Sequence, residues 1–425
     1  TAIVLARAFT AYFQLVNVTE QLHRWQELTT RPERPLAATT RRIGEALEAG
    51  SIDRELISDV LGRLEYRPVF TAHPTEATRR SVLGLLRKVA AVTYRGEDPR
   101  GRTTDSAVTE RRLAELVDLL WQTDELRLDR PEPTDEARTA IYYLQTLAEK
   151  VVPDLLAELD RSLASLGVEL PPHARPLRFG TWAGGDRDGN PNVTPEVTLD
   201  VLGLQHDFGL RELVRGVEEL LQELSSSSRM VTVSDALAAS LEADREALPI
   251  TYSTIKRLNA EEPYRLKLSY VRVRLLRTRD RLANATAHEP GRDYENLDGL
   301  LADLTLVRDS LILTGDRLTA DGALLRLIRT ATAMGLGLAT LDVREHSGKH
   351  HEALAALFDR VGQLETPYGE LDRPDRIAVL SQEMAARRPL TGAGLAGSGA
   401  LEGTAAQVID LLTTIRSALD TFGPA

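Results

Sequence analysis

There is no cysteine among the 425 residues. That excludes a disulfide framework and any thiolate metal site, and it fits a reducing compartment, so the cytoplasm is the expected location. Positive charge is also in deficit: 52 Lys and Arg stand against 63 Asp and Glu, a formal net charge of −11. This balance opposes non-specific binding to nucleic acid and gives anionic membranes no basic platform, so neither is an expected partner. An anionic ligand needs a local cluster of arginines instead. Thr1-Ala2-Ile3-Val4-Leu5-Ala6-Arg7 lacks a basic n-region, and Arg7 interrupts the apolar run too early for a secretory leader or a membrane span. Asn17-Val18-Thr19, Asn192-Val193-Thr194 and Asn284-Ala285-Thr286 match the glycosylation sequon, but without secretion they read as chance. The first residue is Thr rather than Met, which points to a missing beginning. No repeat of fixed period occurs.

What is present is apolar residue in quantity, 42% hydrophobic with 27% charged, ample for large buried cores. Apolar residues spaced three and four apart dominate, most plainly in Phe208 to Leu224, which Ser225 to Ser228 then end. Similar stripes predict helix through 4–26, 109–125, 136–166, 235–247, 264–283, 298–313, 322–334, 350–361 and 405–422. Breaks fall at 95–105, 127–135, 167–176, 287–297 and 389–404, and none has the composition of a flexible tether. Residues 1–425 therefore read as one continuous, mostly helical unit.

Strand candidates are few: 67–72, 176–182 and 336–343. Long helical stretches separate them, which suits parallel strands joined by crossovers rather than hairpins. Period-two alternation places Val69, Thr71 and His73 on one face of their strand. It puts Arg178, Gly180 and Trp182 together, and Asp342 with Arg344 opposite Leu341 and Val343. Polar strand ends of this kind gather at the mouth of a β/α barrel. The expected fold is mainly α with a few parallel strands.

Each strand ends in chemistry. In Val69-Phe70-Thr71-Ala72-His73-Pro74-Thr75-Glu76 the strand hands over to a helix, with Pro74 at the first helical position and Glu76 as an acid in the first turn. His73 sits at that junction, either as a proton acceptor or as a hydrogen-bonded strand-end histidine. Arg79 and Arg80 add positive charge that favours the neutral imidazole, or they pair with surface acids. The second motif runs from Phe179 through Trp182, Gly184, Gly185, Asp186, Arg187, Asp188, Gly189 and Asn190 to a helix start with Thr194 as N-cap and Pro195 after it. Its glycines permit tight turns or close ligand approach. Asp186, Arg187 and Asp188 form an ion-pair corner that holds the loop, and a calcium loop is rejected because Pro191 stands where glycine is required and Val197 where glutamate is required. Trp182 is a large ring suited to walling water from a pocket. The third motif, Leu341-Asp342-Val343-Arg344-Glu345-His346, ends a strand on a guanidinium able to grip phosphate or carboxylate, or to pair with Glu345. His346 and His350 have the spacing of a helical metal pair but lack a third ligand. No metal ligand is assigned.

Together Val69 to Glu76, Gly180 to Asn192 and Leu341 to Glu345 resemble the signatures of the phosphoenolpyruvate carboxylase family, in the family's order. Weaker likenesses at Ala6-Arg7-Ala8-Phe9 and Glu262-Pro263-Tyr264-Arg265 extend the match across nearly the whole chain, in the amino-terminal half of that longer family. The resemblance implies carboxylation of phosphoenolpyruvate by bicarbonate to oxaloacetate and phosphate, an anaplerotic lyase reaction that supplies the tricarboxylic acid cycle and depends on Mg²⁺ or Mn²⁺. It implies His73 as the catalytic histidine and Arg344 as the grip on phosphoenolpyruvate. Trp182 then lines the bicarbonate pocket, and Arg79 and Arg80 match a pair that binds an effector phosphate in plant relatives. It implies a fold that is part of a β/α (TIM-like) barrel embedded in many helices and incomplete in this chain, and a homotetramer with metal ligands outside this chain. Glu345-His346 stands where Gln followed by an acid is common in the family. The chain is thus expected to be a fragment that is inactive alone. Two other readings are a non-catalytic helical scaffold or regulatory subunit, and a different phosphate-handling lyase or hydrolase using His73 and Arg344.

Overall fold

The computed structural model describes residues 2–30, 34–71, 79–97, 106–124, 132–170, 174–188, 190–386, 390 and 401–423. Contacts divide the chain into two compact units, where the sequence reading had one continuous unit over 1–425. The first unit comprises Thr1–Asp59, His73–Glu132 and Leu159–Leu170, and the second Val60–Ala72, Pro133–Glu158 and Pro171–Ala425. Two of the divisions, at 59/60 and 158/159, fall inside α-helices, where no Gly- or Pro-rich tether could mark them.

The first unit is helical. It contains α1 (Ala2–Thr29), α2 (Pro35–Glu48), the start of α3 (Arg54–Arg63), α4 (Arg80–Glu97) and α5 (Ser106–Gln122). α4 packs along α5, and α1 lies on α4, where Trp25 meets Tyr94 edge-on with ring centroids 4.8 Å apart. Val82, Val89, Leu116 and Leu120 are buried between these helices. α1 is long and apolar enough by length and composition to pass for a membrane span despite Arg7. In the structure its Arg7 stacks over the Trp121 ring at 5.4 Å and donates to the Thr123 carbonyl at 2.8 Å.

The second unit holds the long helices and all three strands. α6 (Pro133–Thr146) leads through a π-helical turn, Leu147–Val151, into α7 (Val152–Ser165), whose end belongs to the first unit. α8 (Pro195–Glu223) begins where the sequence placed it: Thr194 caps it by accepting from the Val197 amide at 3.3 Å, and Pro195 follows. Then come α9 (Asp235–Ala247), α10 (Pro249–Asn259), α11 (Pro263–Asn284), α12 (Leu297–Leu313), the single turn α13 (Arg317–Thr319) and, after a π-helical turn at Ala320–Leu324, α14 (Leu325–Met334). α15 (Ser347–Val361), α16 (Arg373–Ala386) and α17 (Gly403–Phe422) complete the set. The core lies between α8 and α11, with α9, α12 and α14 packed around them: Leu210, Val217, Leu237, Leu268, Val271, Leu275, Leu300, Leu304 and Val307 are all buried. Sealed among these helices, Lys267 meets Asp244 at 2.8 Å and Asp303 at 2.6 Å. Arg274 bridges the same two carboxylates, contacting Asp303 at 2.9 Å. Two cations thus balance two anions with little water, an arrangement tolerable only because the charges are paired.

The strands are β1 (Val69–Phe70), β2 (Gly180–Thr181) and β3 (Thr340–Leu341), paired parallel in the order β1-β2-β3. All three lie inside the expected runs but are shorter. Pro68 has no amide to donate, though its carbonyl still accepts from Gly180, and pairing before it survives only as the Tyr66–Leu177 bridge. Before β3, Gly335 and Leu338 adopt left-handed φ of 62° and 66°, which breaks the extended run until Thr340.

Candidate active site

The register aligns Val69, Gly180 and Thr340, so the faces assigned by alternation combine into one polar face across β2 and β3. Trp182 and Asp342 emerge on it just past the strands. The indole N–H donates to Asp342 Oδ2 at 3.3 Å, and the Arg344 guanidinium carbon lies 4.5 Å from the indole centroid. The sequence expectation that Trp182 and Arg344 converge from distant positions is what the structure shows. A cation over an indole face is an attractive arrangement that keeps the guanidinium edge, which Asp186 contacts at 3.4 Å, turned away from the ring and able to receive an anion.

The loop after β2 is held to β3 by its backbone. Arg344 N donates to the Gly185 carbonyl at 2.9 Å, and Arg187 N donates to the Arg344 carbonyl at 3.0 Å. So close an approach requires glycine: a Cβ on Gly185 would stand 2.3 Å from the Asp342 carbonyl oxygen. Gly184 has φ of +84°, and a Cβ there would sit 2.5 Å from Val201.

Asp186 and Arg187 act apart rather than as one ion-pair corner. Asp186 faces Arg344 at 3.4 Å, an exposed pair of small energetic weight. Arg187 is buried and donates to the Thr198 hydroxyl at 2.9 Å, and that hydroxyl donates to the Gly184 carbonyl at 2.8 Å. Burial pulls the Arg187 pKa down, against the attraction of Glu345 and Glu196, and its Nε has no partner among the described residues. Asp188 is exposed, and its amide closes a turn on the Asp186 carboxylate at 3.3 Å. Glu345 does not pair with Arg344. Burial works to raise its pKa, but the His346 amide at 2.8 Å and Lys349 at 3.0 Å hold it below the usual range.

His73 lies outside the described residues. Arg79, in the first unit, meets Asp124 at 3.2 Å, and Arg80 opens α4. His346 caps α15, its Nδ1 accepting from the Gly348 amide at 3.1 Å, which engages that nitrogen away from any metal. Among the described residues no group of three or more His, Asp or Glu could hold a metal ion. The carboxylates of Asp186 and Asp342 are engaged by the Arg344 guanidinium and the Trp182 indole, so this donor set does not fit the divalent ion that the family resemblance implies.

A cavity of about 200 Å³ lies elsewhere in the second unit, lined by Phe179, Leu202, His206, Leu336, Leu341 and Phe422 among others, but by neither Trp182 nor Arg344. Its walls are mostly apolar, and buried His206 has its pKa pulled down to about 4; its two arginines, Arg175 and Arg178, pair with Asp298 at 3.1 Å and Glu65 at 3.5 Å. Two residues of the Arg344 site escaped the sequence reading. Asp342 was visible only as a face-mate of Arg344, and a register linking Gly180 to Thr340 would have brought it to Trp182. Thr198 carried no signal, being one hydroxyl in the first turn of a helix.

Comparison with known proteins agrees with the arrangement of motifs. The model of the phosphoenolpyruvate carboxylase family matches residues 1–425. The chain is 36% identical over 401 residues to a phosphoenolpyruvate carboxylase of Roseiflexus castenholzii, covering 91% of this chain and 42% of that one. It is 37% identical over 395 residues to that of Ectopseudomonas mendocina, covering 91% and 42%. For Alcanivorax borkumensis the figures are 34% over 424 residues, 97% and 45%. The chain thus spans less than half the length of these curated relatives. On its motifs, their geometry and a match along its entire length, this chain belongs to the phosphoenolpyruvate carboxylase family.

Proposed function

We propose that this chain supplies part of the active site of a phosphoenolpyruvate carboxylase, forming oxaloacetate and phosphate from phosphoenolpyruvate and bicarbonate. The observation that carries the reading is the Arg344 guanidinium stacked on Trp182 at the end of a parallel strand. Arg344 grips the phosphoryl or carboxylate end of phosphoenolpyruvate and stabilises charge as it moves between oxygens. Bicarbonate oxygen attacks phosphorus, and the bond to the enol oxygen breaks, giving carboxyphosphate and the enolate of pyruvate. His73 takes the carboxyl proton of carboxyphosphate, which releases CO₂ and phosphate. The enolate carbon then captures CO₂. Trp182 walls the bicarbonate side and keeps water from quenching the enolate. Arg79 and Arg80 serve an effector phosphate.

Three parallel strands with helical crossovers support the finer reading of a β/α barrel, whose mouth lies at the carboxyl ends of the strands. The proposal includes a cytoplasmic homotetramer and divalent-metal ligands supplied from outside this chain. The test uses the longer protein that carries these residues, assayed for bicarbonate-dependent oxaloacetate. Arg344→Ala should lower kcat/KM for phosphoenolpyruvate by about a hundredfold or more, and His73→Asn should abolish turnover while sparing the fold. Undiminished carboxylation by both variants would remove these residues from their roles. A wild-type protein that fixes no bicarbonate would favour the non-catalytic scaffold.

A further inference from the structure

We infer that Asp342 is a positioning residue: it holds the Trp182 indole edge so that the ring face lies under Arg344, and so fixes where an anion can meet the guanidinium. The inference rests on the phosphoenolpyruvate reading for the identity of that anion, but its geometry stands without it.

Three observations converge. The indole N–H donates to Asp342 Oδ2 at 3.3 Å, across a pair of strands whose backbone bonds fix both main chains: Trp182 N reaches the Phe70 carbonyl at 3.3 Å and Asp342 N the Thr181 carbonyl at 2.9 Å. The same Asp342 oxygen lies over Gly180, at the ordinary contact distance of 3.7 Å from where a Cβ would stand, so the carboxylate packs on the strand beside the indole it accepts from. And the ring so tethered carries Arg344 at 4.5 Å on its face, with Asp186 at 3.4 Å from the guanidinium.

The chemistry explains why a carboxylate stands there. An indole presents one donor and two apolar faces, and a single bond at its edge is enough to choose its plane. A charged acceptor strengthens that bond. The carboxylate also repels a ligand anion from the ring edge, which leaves the guanidinium side as the favourable approach. Asp342 would touch no substrate; it acts through Trp182.

The test reads the ring directly in the 425-residue chain. Its three tryptophans are Trp25, Trp121 and Trp182, and substituting each by Phe assigns the three indole ¹⁵N–¹H resonances. With Asp342→Ala the Trp182 indole proton should move upfield and exchange with solvent roughly tenfold faster, as expected for loss of a charge-assisted bond. The Arg344 Nε–H should lose the ring-current shift that stacking produces. Trp25 and Trp121 should not move. Asp342→Asn, whose side-chain oxygen can still accept, should restore both signatures in large part, a rescue that a merely structural disturbance would not give. Unchanged Trp182 and Arg344 resonances in Asp342→Ala overturn the inference, as does a failure of Asp342→Asn to restore them. Phosphoenolpyruvate titrated into the longer protein that carries these residues, and into its Asp342→Ala variant, separates the two levels: binding to wild type that weakens roughly tenfold in Asp342→Ala supports both, and equal binding to the two overturns the positioning role. Absence of binding to wild type counts against the substrate reading alone, because the resonances still decide the ring geometry.

Discussion

His206 offers the sharpest quantitative test of the fold. It lies in the middle of α8, nearly buried, its ring 4.6 Å from that of Phe422 and so close to Gly337 that a Cβ there would come within 2.8 Å of the imidazole. Nδ1 lies 2.8 Å from the Leu202 carbonyl, and because a carbonyl only accepts, Nδ1 carries the proton of a neutral ring. Burial, aided by the charge of Arg281 and opposed by the Leu202 bond, pulls the pKa from 6.5 to about 4. The sign follows from proton counting. Between these two values the unfolded chain binds a proton that the folded one refuses, so stability rises with pH across the window. The contribution is fully present above 6.5 and is lost as pH falls through about 4. From this difference the loss at pH 5 is about 2 kcal/mol, approaching about 3 kcal/mol below the folded value. Urea unfolding at pH 7.5 and pH 5, read on the transition that includes α8, measures it. His206→Leu should have a different absolute stability but lack this increment, so the drop between the two pH values should be about 2 kcal/mol smaller than in wild type. Equal drops in the two proteins would refute the assignment of a buried neutral imidazole.

Three further outcomes are expected. Lys267→Met leaves Asp244 and Asp303 sharing Arg274 alone in a buried setting, and should cost about 3–5 kcal/mol in urea unfolding at neutral pH. Ala285 ends α11 with left-handed φ of 48° in an exposed position, so Ala285→Gly should raise the urea midpoint, by about 1 kcal/mol of stability. Gly185→Ala drives a methyl into the Asp342 carbonyl oxygen and should cost about 1–3 kcal/mol while shifting the Trp182 fluorescence, the indole being the nearest reporter.

Much of this was legible in the residues, for identifiable reasons. The order and positions of the three strand runs could be read because each ends in a polar cluster. The cap at Thr194 could be read because a threonine followed by a proline has few other uses. Alternation placed Trp182 and Arg344 at the polar ends of separate strands, and only the expectation that such ends converge brought the two together. The helices at Pro35–Glu48, Arg54–Arg63, Arg80–Glu97, Pro249–Asn259 and Arg373–Ala386 were not singled out, although Pro35–Glu48 and Arg80–Glu97 carry clear apolar stripes that the sequence reading passed over. The division into two units was invisible where it cuts through α3 and α7, because no turn chemistry intervenes there; at 132/133 and 170/171 it falls in breaks that the sequence did show. Asp342 and Thr198 escaped because their importance comes from cross-strand register and from a loop folded back on a helix start, and neither leaves a local pattern.

The amide and carbonyl of Arg344 are both committed to the neighbouring loop, at Gly185 and Arg187, while its guanidinium is not needed for either bond. Scaffold and reagent are thereby uncoupled at one position. Selection, or an engineer, can exchange the side chain at 344 without undoing the stitching that presents it, whereas the same freedom is denied at 185, where only the smallest residue lets the two chains touch.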